Sequence, residues 1–111
     1  MELEKAKTIA EKIKAVLESS CERIEIRGSI HRCKSYPNDL ELLCIPKYVD
    51  GVDRLDRELG ALAFQRILNL RRNKKGFTTY GPKNKLMVHV PSGIGVDIFS
   101  TTAGKIGRAH V

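Results

Sequence analysis

The sequence lacks any long apolar run, and this absence argues against a membrane-spanning helix. Such a helix needs about 18 or more consecutive apolar residues, whereas charged residues make up 30% of this chain and occur throughout it. The opening segment MELEKAKTIA is charged from its second residue, so we expect no signal peptide. Internal repeats and low-complexity segments are also missing. These absences favour a cytoplasmic globular protein without a membrane partner.

Cysteine is scarce and irregularly spaced. The three cysteines are Cys21, Cys33 and Cys44, an odd number with no C-x-x-C pair among them. Disulfide frameworks and structural zinc sites need paired or clustered cysteines. The spacing therefore predicts reduced thiols in a cytosolic protein.

The length and the charge set the next expectations. A chain of 111 residues with 41% hydrophobic residues is long enough to form one domain with its own core. The net charge of +7 favours polyanionic partners such as nucleic acid or nucleotide phosphates, although a solvated lysine face is the alternative. No feature indicates an obligate protein partner.

The last six residues, IGRAHV, raise a separate question. One reading frame of a common sequencing adapter spells this hexapeptide, so we interpret residues 106–111 as a non-native tail. Residues 1–105 then form a single domain that is incomplete at its C-terminus. A genuine basic, glycine-rich terminus is the alternative.

Hydrophobic periodicity predicts alternating helices and strands. Residues 2–19 have the spacing of an amphipathic helix, ERIEIRG and DLELLCIP of strands, and residues 52–72 of a long second helix. A short helix at residues 29–34 and a short strand in GFTTYGP are also expected. KLMVHV and GIGVDIFST flank Pro-Ser-Gly, which predicts a hairpin. The order favours an α+β (α/β) fold, a mixed sheet with helices packed on it.

Three acidic residues lie within apolar strands. Asp39 and Glu41 are two residues apart, so their side chains point to the same face while their neighbours pack the opposite one. Two carboxylates this close repel each other unless a cation lies between them. Asp97 lies in the later hairpin, and if that hairpin borders the 39–45 strand, three carboxylates converge. Such a group suits two Mg²⁺ ions, whereas exposed acids on edge strands are the alternative.

A phosphate-binding segment precedes these acids. Gly28 ends a strand and lets a ligand approach the backbone closely. The backbone N–H groups after it, the Ser29 hydroxyl and the Arg32 guanidinium are suitable donors to phosphate oxygens. A Gly-Ser pair alone is more often only a turn.

The segment GSIHRCKSYPNDLELL resembles the signature of the DNA polymerase beta-like nucleotidyltransferases, the family X polymerases. That signature has a Gly-Ser, a basic pair, a loop and then Asp-x-Asp or Asp-x-Glu on a strand, and VDIFST is similar to the strand of its third acid. The likeness extends to about residue 104, and the wording NDLELLCIPK looks closest to short bacterial and phage relatives.

The resemblance implies a palm-like nucleotidyltransferase fold and the transfer of a nucleotidyl group from a nucleoside triphosphate to a hydroxyl, with DNA as the expected acceptor. Asp39, Glu41 and Asp97 would hold two Mg²⁺ ions, or Mn²⁺ in their place, with Asp97 nearest the hydroxyl. Gly28, Ser29 and Arg32 would bind the β and γ phosphates. Five further cations are expected along a nucleic-acid backbone: Arg72, Lys74, Lys75, Lys83 and Lys85.

The sequence also departs from that pattern. His31 stands in place of the first arginine of the usual basic pair, Asn38 in place of a glycine, and Glu41 is one methylene longer than Asp. A helix-hairpin-helix, a lyase domain and a base-reading C-terminal segment are not seen. Two alternatives stay open: a catalytically silent nucleic-acid-binding module, and transfer to a protein or small-molecule acceptor.

Overall fold

The computed structural model describes residues 1–28 and 37–102. The predicted short helix at 29–34 and the suspected tail at 106–111 lie outside these residues. The elements, in chain order, are helix α1 (Leu3–Leu17), a 3-10 turn (Glu18–Ser20), strands β1 (Cys21–Arg27), β2 (Asp39–Pro46), β3 (Tyr48–Val49) and β4 (Val52–Asp53), helix α2 (Arg54–Phe64), and strands β5 (Leu68–Leu70), β6 (Asn84–His89) and β7 (Gly95–Ser100).

Five of these strands form one mixed sheet in the order β1-β2-β7-β6-β5. Strand β2 is antiparallel to β1 and parallel to β7, and β7, β6 and β5 are antiparallel to one another in turn. Strands β3 and β4 pair separately as a small hairpin. The observed domain is therefore a small α+β domain with a mixed sheet and two helices, as the segment order predicts.

The core lies on one face of this sheet. Leu40, Leu42, Val96 and Ile98 alternate along the two central strands and are completely buried. They join one cluster with the apolar stripes of both helices, whose buried members are Ala6, Ala10, Ile13, Leu17, Leu55, Leu59 and Leu62. The intervening residues of the central strands point to the opposite face, where side chains are only partly buried.

The second helix is shorter than the periodicity predicts. It begins at Arg54, after Asp53 caps its first turn by accepting a hydrogen bond from the Asp56 N–H at 3.0 Å, and it ends at Phe64. Arg66 has a φ of +59°, which ends the helical path, and the Ile67 N–H returns to the Leu62 carbonyl at 2.9 Å. The prediction of a helix over residues 52–72 was wrong at its C-terminal third.

The chain after α2 also differs from the prediction. Leu68–Leu70 is a strand at the sheet edge, and the segment GFTTYGP contributes only isolated bridges at Thr78 and Tyr80 instead of a strand. The hairpin of β6 and β7 is confirmed, and β7 pairs with β2, which the sequence indicated only as a condition. Neither helix in the described residues has the length and apolar character needed to cross a bilayer.

Candidate active site

The sheet register brings the three predicted acids together. In the parallel pairing of β2 with β7, Glu41 lies directly beside Asp97, and Asp39 lies beside Gly95. Side chains at paired positions share a face, and residues two apart on one strand do too. All three carboxylates therefore lie on the face opposite the core, where each is partly buried.

Gly28 lies against the second of these acids. It follows β1 with a φ of +71°, and a Cβ built on it would lie 2.5 Å from Cδ of Glu41 and 2.6 Å from Oε2. A side chain at this position would both require a left-handed backbone and displace the carboxylate. The glycine that the sequence assigns to phosphate binding thus makes room for a predicted metal ligand.

A second glycine accommodates the first acid. Gly95 is buried beside Asp39, and a Cβ there would collide with Oδ1 of Asp39 and Nη1 of Arg71. The missing side chain lets the Arg71 guanidinium cross over β7 and donate to Oδ1 of Asp39 at 2.7 Å. A glycine inside a strand often marks such a close approach.

The electrostatic environment of Asp97 includes the other two acids and Arg71. Its pKa is raised by burial, and further by the negative charges of Asp39 and Glu41, while Arg71 opposes the shift. Asp39 and Glu41 are therefore close enough for their charges to act on Asp97. Such a group gains from a neutralising cation.

A second arginine borders the same row. Arg27 is the register partner of Glu41 on β1, but its Nη2 donates to Oε1 of Glu25 at 3.0 Å. Glu25 also pairs with Arg23, whose Nε lies 2.8 Å from Oε2. Glu25 thus takes up the charge of both β1 arginines, whereas Arg71 is bound directly to a predicted catalytic acid.

The donor chemistry of the site fits Mg²⁺, which prefers carboxylate oxygens. As the side chains stand, however, residues 1–28 and 37–102 contain no group of three or more His, Cys, Asp or Glu side chains arranged to hold a metal ion. Asp39 is engaged by Arg71 instead. Ion binding at this site thus requires the carboxylates to close up, and the ion must compete with Arg71 for Asp39.

Three predicted backbone-binding cations lie on a turn next to the acids. The Arg71 N–H donates to the Leu86 carbonyl and the Leu86 N–H to the Thr79 carbonyl, so residues 72–78 leave the sheet edge beside Leu86, the register partner of Asp97. We call residues 72–78 the basic turn. At a strand spacing near 4.8 Å, its base lies about 10 Å from the Asp97 backbone.

The basic turn is internally ordered. The Asn73 side chain accepts hydrogen bonds from the N–H groups of Lys75 at 2.9 Å and Phe77 at 3.0 Å, and Arg72 donates to the Gly76 carbonyl at 2.9 Å. Lys74 and Lys75 are exposed, and Phe77 is 66% exposed. The turn thus presents a phenyl ring among cations.

The other two predicted cations are placed differently. Lys85 is only 3% exposed, and its ammonium donates to the Gly81 carbonyl at 3.0 Å and lies over the Tyr80 ring. In this position it offers no charge to a nucleic-acid backbone. Lys83 is exposed but lies at the opposite end of β7, where its carbonyl accepts from Ser100. Ser29 and Arg32 lie outside the described residues.

Arg71 is the site residue that sequence reasoning misses. The periodicity places it at the end of a long helix, where a cation only suits the helix dipole. Its actual position depends on the early end of α2, and the signal that pointed to a close contact is the glycine inside the strand GIGVDIFS. No protein-family model matches the chain, and the search of curated proteins found no match.

Proposed function

We propose that the chain is a Mg²⁺-dependent nucleotidyltransferase of the DNA polymerase beta type. It would transfer a nucleotidyl group from a nucleoside triphosphate to a hydroxyl, with a DNA 3′ end as the acceptor. The observation that carries the proposal is the parallel register of β2 on β7, which aligns Glu41 with Asp97 and places Asp39 on the same face. The resemblance of residues 28–43 to that family's signature supports it independently.

In the proposed reaction, the acceptor hydroxyl oxygen forms a bond to the α-phosphorus. The bond between the α-phosphorus and the oxygen that bridges to the β-phosphate breaks. Pyrophosphate leaves with the electron pair of that bond. Mg²⁺ held by Asp39, Glu41 and Asp97 would supply charge neutralisation for the phosphate oxygens. The resemblance implies that Asp97 lies nearest the acceptor hydroxyl and helps to activate it, and its carboxylate would take up the hydroxyl proton as the bond to phosphorus forms.

The basic turn supports nucleic acid as the acceptor. Arg72, Lys74 and Lys75 leave the sheet next to the carboxylates, and an exposed aromatic ring accompanies them. Cations attract a phosphate backbone, and an aromatic face stacks on any base. A small-molecule acceptor would need neither.

Incubation with a labelled 3′-hydroxyl oligonucleotide, a nucleoside triphosphate and Mg²⁺ tests this proposal. The native protein should extend the oligonucleotide, and Asp39→Asn should slow extension at least about a hundredfold, since stabilisation of transition-state charge by bound metal is worth several kcal/mol. Asp50→Asn is the matched control, because Asp50 is an exposed turn residue and Asn tolerates its φ of +51°. Extension by Asp39→Asn at the rate of the control would overturn the assignment.

A second candidate function is a catalytically silent nucleic-acid-binding module. The ion pair between Arg71 and Asp39 favours it, since a permanent pair would neutralise Asp39 in place of a metal. This candidate predicts binding to an oligonucleotide that weakens with salt and is indifferent to Mg²⁺. Fluorescence anisotropy of a labelled oligonucleotide, measured in the presence of a triphosphate with and without Mg²⁺, separates the two candidates. The silent module should have the same affinity in both conditions, whereas the enzyme should need Mg²⁺ to bind the triphosphate together with the oligonucleotide.

A further inference from the structure

The contact between Arg71 and Asp39 has no evident structural purpose. The side chains of Arg71 and Asp39 are 44% and 39% exposed, and ion pairs that are this accessible to solvent add little to the stability of a fold. The contact nevertheless depends on a buried glycine, Gly95, since any larger residue would collide with both partners. A weak pair that needs such a specific opening calls for another explanation.

The position of the guanidinium provides one. Arg71 approaches Asp39 across β7, the strand that carries Asp97, and its positive charge acts on Asp97 as well. Arg71 therefore provides the three carboxylates with a positive charge that belongs to the protein itself. A divalent cation bound by the same group would meet the positive charge of Arg71 at Asp39, so the two cations compete for that carboxylate.

We propose that Arg71 is an internal counter-ion that holds Asp39 until a divalent cation displaces it. This inference rests on the proposed function, because it assumes that Asp39 is a metal ligand. Arg71 is thus a positioning residue: it keeps the carboxylate oriented and neutralised, and it sets the concentration of cation at which the site fills. The occupant of the site is a hard divalent cation, Mg²⁺ or Mn²⁺.

The side chain of Arg71 can move without disturbing the sheet. Its backbone N–H is fixed to the Leu86 carbonyl at 3.2 Å, so the displacement involves only the long side chain and leaves the sheet intact. Within residues 1–28 and 37–102, only Asp39 accepts a hydrogen bond from the Arg71 guanidinium. Among these residues, freeing the side chain costs one solvent-accessible contact.

Calorimetric titration with Mn²⁺, without nucleotide, tests the inference. Arg71→Ala should bind Mn²⁺ about threefold to tenfold more tightly than the native protein, since an exposed ion pair of this kind is a modest competitor. Arg57→Ala is the control for the loss of a unit charge, because Arg57 is exposed on α2 and takes no part in the site. Equal affinities in the native protein and Arg71→Ala would overturn the inference.

A second measurement reads the arginine itself. The guanidinium resonance of Arg71, assigned by its loss in Arg71→Ala, should shift during a Mg²⁺ titration with the midpoint found by calorimetry, while the resonance of Arg57 stays fixed. A purely structural ion pair would leave the Arg71 resonance unmoved, and that result would contradict the inference.

The two proposals fail in different ways. If Asp39→Asn abolishes Mn²⁺ binding while Arg71→Ala has native affinity, Arg71 is not the competitor and the metal site stands. If Asp39→Asn binds Mn²⁺ as well as the native protein does, Asp39 is not a ligand, and both proposals are wrong.

Discussion

At the scale of single residues, two glycines shape the carboxylate group more than any side chain does. Gly28 leaves room for the carboxylate of Glu41, and Gly95 leaves room for the contact between Asp39 and Arg71. The sequence singles out the first, because Gly-Ser before an acidic strand is part of a recognisable signature, but it assigns Gly28 to phosphate binding and does not indicate the contact with Glu41. It does not indicate the second, because the atoms that fill the space above Gly95 belong to Asp39 and Arg71, which lie 56 and 24 residues earlier in the chain.

The role of Gly28 can be separated from its backbone strain. Gly28→Ala and Gly51→Ala should each lose roughly 1 kcal/mol of unfolding free energy, because both glycines have a positive φ, and urea denaturation measures this loss. A Cβ at Gly51 meets nothing within 4 Å, whereas at Gly28 it displaces Glu41. Only Gly28→Ala should therefore weaken Mg²⁺-dependent triphosphate binding, by about tenfold or more. Native affinity in Gly28→Ala would contradict the role of Gly28 in leaving room for the Glu41 carboxylate.

His89 gives a pH dependence that is independent of the carboxylates. It lies at the end of β6 with its Nδ1 2.6 Å from the Ser92 hydroxyl, and its pKa is lowered by burial and by the charge of Lys12. A histidine whose pKa is lowered in the fold stabilises the fold fully above its ordinary pKa and loses that contribution as the pH falls through the folded value.

The native protein should therefore lose more stability than His89→Gln when the pH is lowered from 7.5 to about 5, across the ordinary pKa of histidine. Urea midpoints measured at each pH report the difference, and the value at pH 8 corrects for the lost contact with Ser92. Parallel curves for the two proteins would show that His89 does not contribute to acid sensitivity.

At the scale of elements, the end of α2 decides where the basic residues lie. A period of 3.6 residues continues through Ile67 and Leu70, so the apolar pattern predicts a longer helix, but Arg66 adopts a left-handed conformation and the chain turns back into the sheet. Apolar periodicity says nothing about a single residue with positive φ, and no glycine marks the turn. The strands carrying the acids alternate apolar and polar residues, and their boundaries were correspondingly predictable.

The strain at Arg66 leads to a stability prediction. Arg66→Gly should raise the free energy of unfolding by about 1 kcal/mol, because glycine adopts the left-handed conformation without steric cost. Gln65→Gly is the matched control, since Gln65 has a helical φ of −79° and glycine there should lower stability. Thermal or urea unfolding of both variants checks the two signs. A loss of stability in Arg66→Gly would contradict the described helix end.

At the scale of the whole molecule, the mixed sheet has one face packed against the helices and one face that carries charged side chains. Both helices cover one face, and the three acids, the two β1 arginines and Arg71 lie toward the other. The pairing of β2 with β7 joins segments more than 50 residues apart, so sequence alone could state the convergence of the acids only as a condition. The resemblance to the polymerase beta-like signature indicated which chemistry to expect, and the register places the three acids on one face of neighbouring strands.

The central claim is that Asp39 belongs to a metal-dependent triphosphate site, and calorimetry tests it most directly. Titration of a nucleoside triphosphate into the native protein, with and without Mg²⁺, should show binding only with Mg²⁺. Asp39→Asn should abolish that binding, while Asp50→Asn, at an exposed turn, should retain it. Binding by Asp39→Asn with the affinity of the native protein would contradict the account.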